Sequence, residues 1–161
     1  NSIDKNIEPY SYCEIISKEK ANSLVDIYPI QTILSADTIV LSPQNKIFEK
    51  PKDEEEAYRM LRELSGKEHQ VLTGVSIIQK QAQINFSFIE TTQVEFNELT
   101  DEEIYYYIKH FEPYDKSGSY GIQGFSSIFV KSISGCYFNV VGLPISRLFY
   151  FLKKFNLLQF S

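Results

Sequence analysis

The stretch ILSADTIVL, residues 33–41, decides the fold that we expect. Branched apolar residues fill most of its positions, which is typical of a strand buried in a sheet. Asp37 stands near its middle, and a carboxylate in an apolar run is costly unless something pairs with it or uses it. The stretch therefore predicts a core strand with either a structural carboxylate, bonded to backbone N–H groups, or a functional one that acts as general base or metal ligand.

Helices and strand pairs alternate along the rest of the chain, as judged from the spacing of apolar residues. Four helices are predicted over residues 11–25, 53–66, 100–111 and 145–155. Strands are predicted over residues 33–41, 46–50, 70–80, 84–96, 126–133 and 137–141. Because pairs of strands are joined by short turns, we expect a mixed, mostly antiparallel sheet flanked by helices, an α/β (mixed α+β) fold. No linker or repeat divides residues 1–161, so a single domain is predicted.

Apolar stripes define the inner faces of three of these helices. The second helix buries Ala57, Met60, Leu61 and Leu64, and the third buries Ile104, Tyr107, Ile108 and Phe111. In the first helix, Tyr12, Ile16, Lys20 and Leu24 recur every four residues. Lys20 therefore lies on an apolar stripe, where it either snorkels past the edge or directs its ammonium into a cavity.

The composition excludes several classes of protein. The chain has 43% hydrophobic residues and a formal net charge of −5, so it is neither disordered nor suited to gripping polymeric DNA or RNA. No run of 18 apolar residues suggests a membrane span, and the start of the chain lacks a signal-peptide pattern. Cys13 and Cys136 lack metal-ligand spacing and are predicted to be free thiols, which favours a reducing, cytoplasmic location.

Two further segments concentrate polar groups. In FEKPKD, residues 48–53, Pro51 holds Lys50 in an extended conformation, suited to neutralising a phosphate, and the alternative is a solvated charge run. In YDKSGSYGIQG, residues 114–124, Gly118, Gly121 and Gly124 recur every third position, with Asp115 and Lys116 near one end and Gln123 near the other. This segment is either a surface loop or a ligand loop, and it matches neither a Walker loop nor a Rossmann fingerprint. His69 and His110 show no metal-ligand spacing and are predicted to be structural.

Four segments in order carry a family resemblance: SADTIVL (35–41), the long run 48–78 that begins FEKPKD, EPYDKSGSYGIQG (112–124) and NVVGLP (139–144). Together they resemble the Maf family of nucleoside triphosphate pyrophosphatases, over nearly the whole chain. The resemblance implies a central nucleotide cleft and hydrolysis between the α and β phosphates, giving a monophosphate and pyrophosphate. It also implies a divalent metal, Mg²⁺ or Mn²⁺, a housecleaning role in nucleotide metabolism, and a homodimer.

The resemblance assigns roles to individual residues. The family's proton acceptor falls on Asp37, which is also a candidate metal ligand, and its two catalytic lysines fall on Lys20 and Lys50. Substrate contacts fall on Thr38, Asp115, Lys116 and Gln123. Thr38 and Gln123 are the positions linked to base choice, and they are similar to the branch that acts on dTTP and UTP.

Two features depart from the family's pattern. The family opens with a strand and a Ser-x-x-Arg loop that have no match here, so this chain is expected to start downstream of them. A glutamate common in the family is replaced by Lys5, which leaves Asp4 as a substitute metal ligand. These departures motivate an alternative function, a non-catalytic nucleotide-binding or interaction protein related to control of cell division.

Overall fold

The computed structural model describes residues 7–158. Within them the helices are Pro9–Val25 (α1), Glu54–Leu64 (α2), Asp101–Phe111 (α3), Tyr137–Val141 (α4) and Ile145–Lys154 (α5). The strands are Ile33–Leu41 (β1), Ile47–Phe48 (β2), Glu68–Gln79 (β3), Ile84–Phe96 (β4) and Val130–Ser134 (β5). Short 3₁₀ turns occupy part of the segment between α3 and β5. None of the helices in this described part is long and apolar enough to cross a membrane.

A single sheet joins the described strands in the order β2-β1-β3-β4-β5. Every neighbouring pair is antiparallel. The pairs β1–β2 and β3–β4 are hairpins, whereas a helix lies in the chain between β1 and β3 and between β4 and β5. The mixed α/β class predicted from the sequence is confirmed, and the described sheet contains no parallel pair.

Strand β3 is buried on both of its faces. Alternate residues such as Leu72 and Ile78 pack in clusters with α1, whereas Val71 and Val75 pack in clusters with α2, α3 and α5. Side chains of successive strand residues point to opposite faces, so this double burial explains the nearly continuous apolar run in its sequence.

Strand β1 is covered by a neighbour along only part of its outer edge. The two residues of β2 pair with Val40 and Leu41, so within residues 7–158 the outer edge of positions 33–39 has no partner strand. Asp37 and Thr38 follow each other on this open stretch, and their side chains project from opposite faces of the sheet. A ligand that contacts both must therefore lie at the edge of the sheet.

Local signals place most helix boundaries correctly. Asp53 caps α2 through the Glu56 N–H, and Thr100 and Glu103 form a full capping box at α3. The predicted α2 stripe is buried. Two stripe predictions are wrong at their ends, because Leu24 in α1 and Phe111 in α3 are 40% and 45% exposed. The buried stripe of α1 instead follows Tyr12, Cys13, Ser17 and Ala21.

The predicted strand over residues 137–141 is wrong, because this segment forms helix α4. The helical turn directs Asn139 inward, where its amide donates to the Val71 carbonyl and to Thr92 Oγ1, each at 3.0 Å. Tyr137 and Phe138 remain exposed. The strand predicted over residues 126–133 forms only from Val130 onward, after a 3₁₀ turn.

Candidate active site

A cavity of about 370 Å³ opens beside the uncovered edge of β1. Its lining includes every predicted site residue that falls in the described part of the chain, namely Lys20, Asp37, Thr38, Lys50, Asp115, Lys116 and Gln123. Asp4, the remaining predicted metal ligand, lies outside residues 7–158. Residues from α1, β1, the segment after β2 and the glycine-containing loop thus converge on one space, although they are far apart in the sequence.

Lys20 and Asp37 form an ion pair at the mouth of this cavity. The Lys20 ammonium donates a hydrogen bond to Asp37 Oδ1 from the face of the sheet that α1 covers. The Lys20 side chain is 53% exposed, and that of Asp37 is 20% exposed. Of the two alternatives for Lys20, the structure therefore supports an ammonium directed into a cavity.

The other two lysines reach the cavity from separate segments. Lys50 is exposed, lies before the buried Pro51, and makes no hydrogen bond or ion pair with the residues that the structure describes. Lys116 donates to Asp115 Oδ1 at 2.6 Å. The hydrogen bond from Lys116 lowers the pKa of Asp115, and the charge of Lys50 contributes in the same direction. Lys50 and Lys116 therefore both stabilise the charged form of the Asp115 carboxylate.

The loop over residues 112–124, which we call the glycine loop, is fixed to the sheet by short-range contacts. Ser117 Oγ donates to the Thr38 carbonyl at 2.9 Å, and the Gly118 N–H donates to the Glu49 carbonyl at 3.1 Å. Gly118 has a φ of 69°, and a Cβ placed there would lie 2.9 Å from the Val40 side chain. A glycine is required at this position both for the backbone conformation and for the close approach.

Thr38 is oriented by groups on the far side of the sheet from Asp37. Its hydroxyl lies 2.8 Å from that of Thr73, its direct partner in the β1–β3 pairing, so Thr73 can donate to Thr38 while Thr38 donates to the Gly142 carbonyl at 3.3 Å. Thr73 is fully buried, and its hydroxyl also lies 3.4 Å from the Asn139 carbonyl. The sequence alone does not reveal the roles of Thr73 and Gly142, since nothing local marks a threonine in a strand as the partner of another one.

A second carboxylate lies close to Asp37. Glu49 and Asp37 both line a smaller neighbouring cavity of about 300 Å³, together with Lys50. The hydroxyl of Tyr12 donates to Glu49 Oε1 at 2.5 Å, and burial, reinforced by Glu49, raises the pKa of Tyr12 to about 12. In this segment the sequence pattern marked Lys50 and not Glu49, because only the folded chain places Glu49 beside Asp37.

No cluster of three or more His, Cys, Asp or Glu side chains suited to a metal occurs among residues 7–158. The donor set of Asp37 and Glu49 nevertheless fits Mg²⁺, which commonly takes one or two protein carboxylates and completes its octahedron with water and substrate phosphates. The two cysteines are free thiols, as predicted. Burial raises the pKa of Cys13 to about 12, so its thiol is neutral at neutral pH.

The lining gives the cavity a local charge opposite in sign to that of the chain. Three ammonium groups outnumber the two carboxylates among its described lining residues, while the whole chain carries −5. Local field, not net charge, decides which small ion is attracted. A mixed α/β fold with such a cavity at a sheet edge defines a class of small domains suited to binding phosphorylated small molecules.

Comparison with known proteins identifies the family within this class. The family model for Maf-like proteins matches residues 1–155, and the chain belongs to this family. It is 46% identical over 151 residues to a dTTP/UTP pyrophosphatase of Carboxydothermus hydrogenoformans, covering 94% of this chain and 81% of that protein. It is also 51% identical over 142 residues to a dTTP/UTP pyrophosphatase of Bacillus cereus, covering 88% of this chain and 73% of that protein.

Proposed function

We propose that this protein is a nucleoside triphosphate pyrophosphatase that hydrolyses the α–β phosphate bond of dTTP and UTP. The observation that carries the proposal is the convergence of Lys20, Lys50 and Lys116 with Asp37 on one cavity. The names of the relatives support the same substrates. In this proposal the cavity is the nucleotide cleft that the family resemblance implies.

The three lysines would neutralise the triphosphate. A triphosphate carries close to four negative charges, and ammonium groups attract phosphate oxygens as compact point charges. Lys50 makes no hydrogen bond or ion pair with the described residues, so it can bind a phosphate oxygen directly. Lys20 and Lys116 would each replace a hydrogen bond to a carboxylate with one to a phosphate oxygen. Binding therefore releases Asp37 from its ion pair at the moment when a base is needed.

Asp37 would accept a proton from the attacking water. The water oxygen forms a bond to one of the two phosphorus atoms that the α–β bridging oxygen joins. The bond between that phosphorus and the bridging oxygen breaks, and the bridging oxygen stays on the other phosphorus, giving a monophosphate and pyrophosphate. A carboxylate held on a strand next to a cationic cavity is positioned for this general-base role.

A divalent cation, Mg²⁺ or Mn²⁺, is part of the proposal. When bound, such a cation neutralises phosphate charge and lowers the pKa of a coordinated water. Asp37 and Glu49 are the side chains that would hold it, and Tyr12 would fix the Glu49 carboxylate. Glu49→Gln should weaken Mn²⁺ binding, measured by electron paramagnetic resonance without nucleotide. Glu63→Gln should leave it unchanged, because Glu63 lines neither of these two cavities.

Thr38 and Gln123 would contact the base. Gln123 is exposed at the cavity, where its amide offers donors and an acceptor to a base edge. The Thr38 hydroxyl is held in one orientation by Thr73 and Gly142, which favours a fixed hydrogen-bond geometry.

The test is to incubate the full chain with Mg²⁺ or Mn²⁺ and each triphosphate and to measure pyrophosphate and monophosphate. Asp37→Asn should abolish most turnover, while Asp26→Asn, which breaks an exposed Asp–Lys pair outside the cavity, should leave turnover unchanged. Release of single orthophosphate would contradict the proposal. Nucleotide binding without turnover would instead support the non-catalytic alternative.

A homodimer and a cytoplasmic location complete the proposal as predictions from the family and from the free thiols. The exposed apolar side chains of α5, among them Ile145 and Tyr150, offer a surface for a second copy. Sedimentation of the full chain at micromolar concentration would measure the dimer directly. No polymeric nucleic acid or membrane partner is expected.

A further inference from the structure

A buried histidine lies close to the candidate active site without lining it. His69, near the start of β3, is 2% exposed. Its ring packs edge-on against Phe96 and Tyr120, with centroid separations of 4.9 and 5.4 Å. Burial lowers the pKa of His69 to about 4, so the imidazole is neutral at neutral pH. A neutral imidazole in such surroundings requires a hydrogen-bonding partner.

Tyr120 provides that partner from the glycine loop. His69 Nε2 lies 2.7 Å from the Tyr120 hydroxyl, although the two residues are 51 positions apart. Tyr120 is itself 5% exposed and packs against Phe96 at a centroid separation of 4.7 Å. Burial raises the pKa of Tyr120, so its phenol stays protonated. The pair is a buried hydrogen bond with no titration near neutral pH.

The position of Tyr120 makes this bond relevant to the site. Tyr120 lines the cavity between Lys116 and Gln123, which are predicted to contact the phosphates and the base. The start of the loop is anchored by Ser117, and its later part by Ser126 Oγ, which donates to the Gly121 carbonyl at 2.6 Å. Between these anchors, Tyr120 connects the loop to the sheet through its side chain.

We propose that His69 is a positioning residue that, through its hydrogen bond to Tyr120, holds the Lys116–Gln123 segment in the geometry that receives the nucleotide. This inference takes its substrate, dTTP or UTP, from the proposed function. The part that concerns the geometry of the loop does not depend on that function. His69 does not line the cavity and takes no part in proton transfer. Its contribution should therefore be to substrate binding, and the chemical step should be little affected.

The test compares three variants with a matched control. Tyr120→Phe removes only the hydroxyl and so isolates the hydrogen bond, His69→Leu removes the imidazole together with its ring packing, and His69→Gln keeps a polar side chain at position 69. Tyr58→Phe is the control, because it removes a tyrosine hydroxyl that bonds Asp101 at 2.8 Å far from the cavity.

Two readouts separate positioning from a general loss of structure. We expect Tyr120→Phe and His69→Leu to raise KM for dTTP about tenfold with kcat within about twofold, and His69→Gln to recover part of the loss. Amide hydrogen exchange over residues 116–123 should accelerate in the first two variants and not in Tyr58→Phe. This exchange measurement needs no substrate.

The outcomes distinguish the inference from the proposed function. Unchanged KM and unchanged amide hydrogen exchange in Tyr120→Phe and His69→Leu would overturn the positioning role of His69. The proposed enzymatic function would not be affected by that result. A fall in kcat with KM unchanged would also overturn it. If the unmodified chain releases no pyrophosphate, the proposed function fails, and the exchange rates of the loop still decide whether His69 positions it.

Discussion

The ammonium of Lys20, on α1, contacts the carboxylate of Asp37, on β1, at the uncovered edge of the sheet. Neither residue is buried, so the pair is not a core ion pair that maintains the fold. An incoming phosphate competes with Asp37 for Lys20, because both are anionic oxygen acceptors. The contact thus links substrate binding to the release of the proposed base.

Replacing Lys20 with Met should lower kcat/KM for dTTP about thirtyfold, the loss expected for one charge-assisted hydrogen bond. The free energy of unfolding should change by less than about 1 kcal/mol, since exposed ion pairs contribute little. Steady-state kinetics and urea denaturation measure the two quantities. Lys18→Met is the matched control, because Lys18 pairs with Glu14 on the same helix and does not line the cavity. Equal kinetic losses in both variants would contradict the role of Lys20.

Replacing Thr73 with Val should reduce discrimination among bases. The substitution keeps the shape of a fully buried side chain but removes the hydroxyl that orients Thr38. We expect the ratio of kcat/KM for dTTP to that for CTP to fall about fivefold, because one oriented hydrogen bond is lost. Ser87→Ala removes a hydroxyl that bonds Ser76 and lies outside the cavity, and it should leave the ratio unchanged.

Replacing Gly118 with Ala should destabilise the protein by about 3 kcal/mol. The new Cβ would meet the Val40 side chain at 2.9 Å in a backbone conformation that alanine disfavours. Gly66→Ala is the matched control, because its φ of 67° is nearly the same while its close neighbour is the flexible, exposed Glu98 side chain. It should cost about 1 kcal/mol. Urea denaturation measures both, and equal values would show that contact with Val40 is unimportant.

Acidification from pH 6.5 to pH 4 should destabilise the protein through His69. Burial lowers the pKa of His69 to about 4 in the folded chain, against an ordinary value of 6.5. Across this interval the unfolded chain binds a proton that the folded chain excludes, so stability falls as the pH falls. The loss should reach on the order of 3 kcal/mol near pH 4. Tyr120, the titratable group that faces the ring, remains neutral throughout.

The variant His69→Gln tests this assignment. It should remove most of the pH dependence above pH 4.5, as measured by urea denaturation at several pH values. Carboxylates with lowered pKa values, such as Asp115 and Glu95, lose their contribution only at lower pH. An unchanged slope in His69→Gln would assign the acid sensitivity to groups other than His69.

Local sequence patterns were sufficient to predict the elements that depend on interactions between residues close together in the chain. The stripe of α2 and the capping box at Thr100 depend on residues three or four positions apart, so the sequence displays them directly. Residues 137–141 form a helix despite aromatic and branched side chains, because Asn139 finds buried partners on β3 and β4. Those partners lie 47 and 68 positions away, beyond any local pattern.

The candidate site divides in the same way. The sequence by itself determined which residues carry charge, which strand holds Asp37, and, through whole motifs, the family. Only the tertiary structure decided that Lys20, Lys50 and Lys116 line one cavity and that the Tyr120 hydroxyl is hydrogen-bonded to His69. The physical reason is that periodicity assigns a side chain to a face of its own helix or strand, whereas the packing of α1 and the glycine loop on the sheet decides which faces meet.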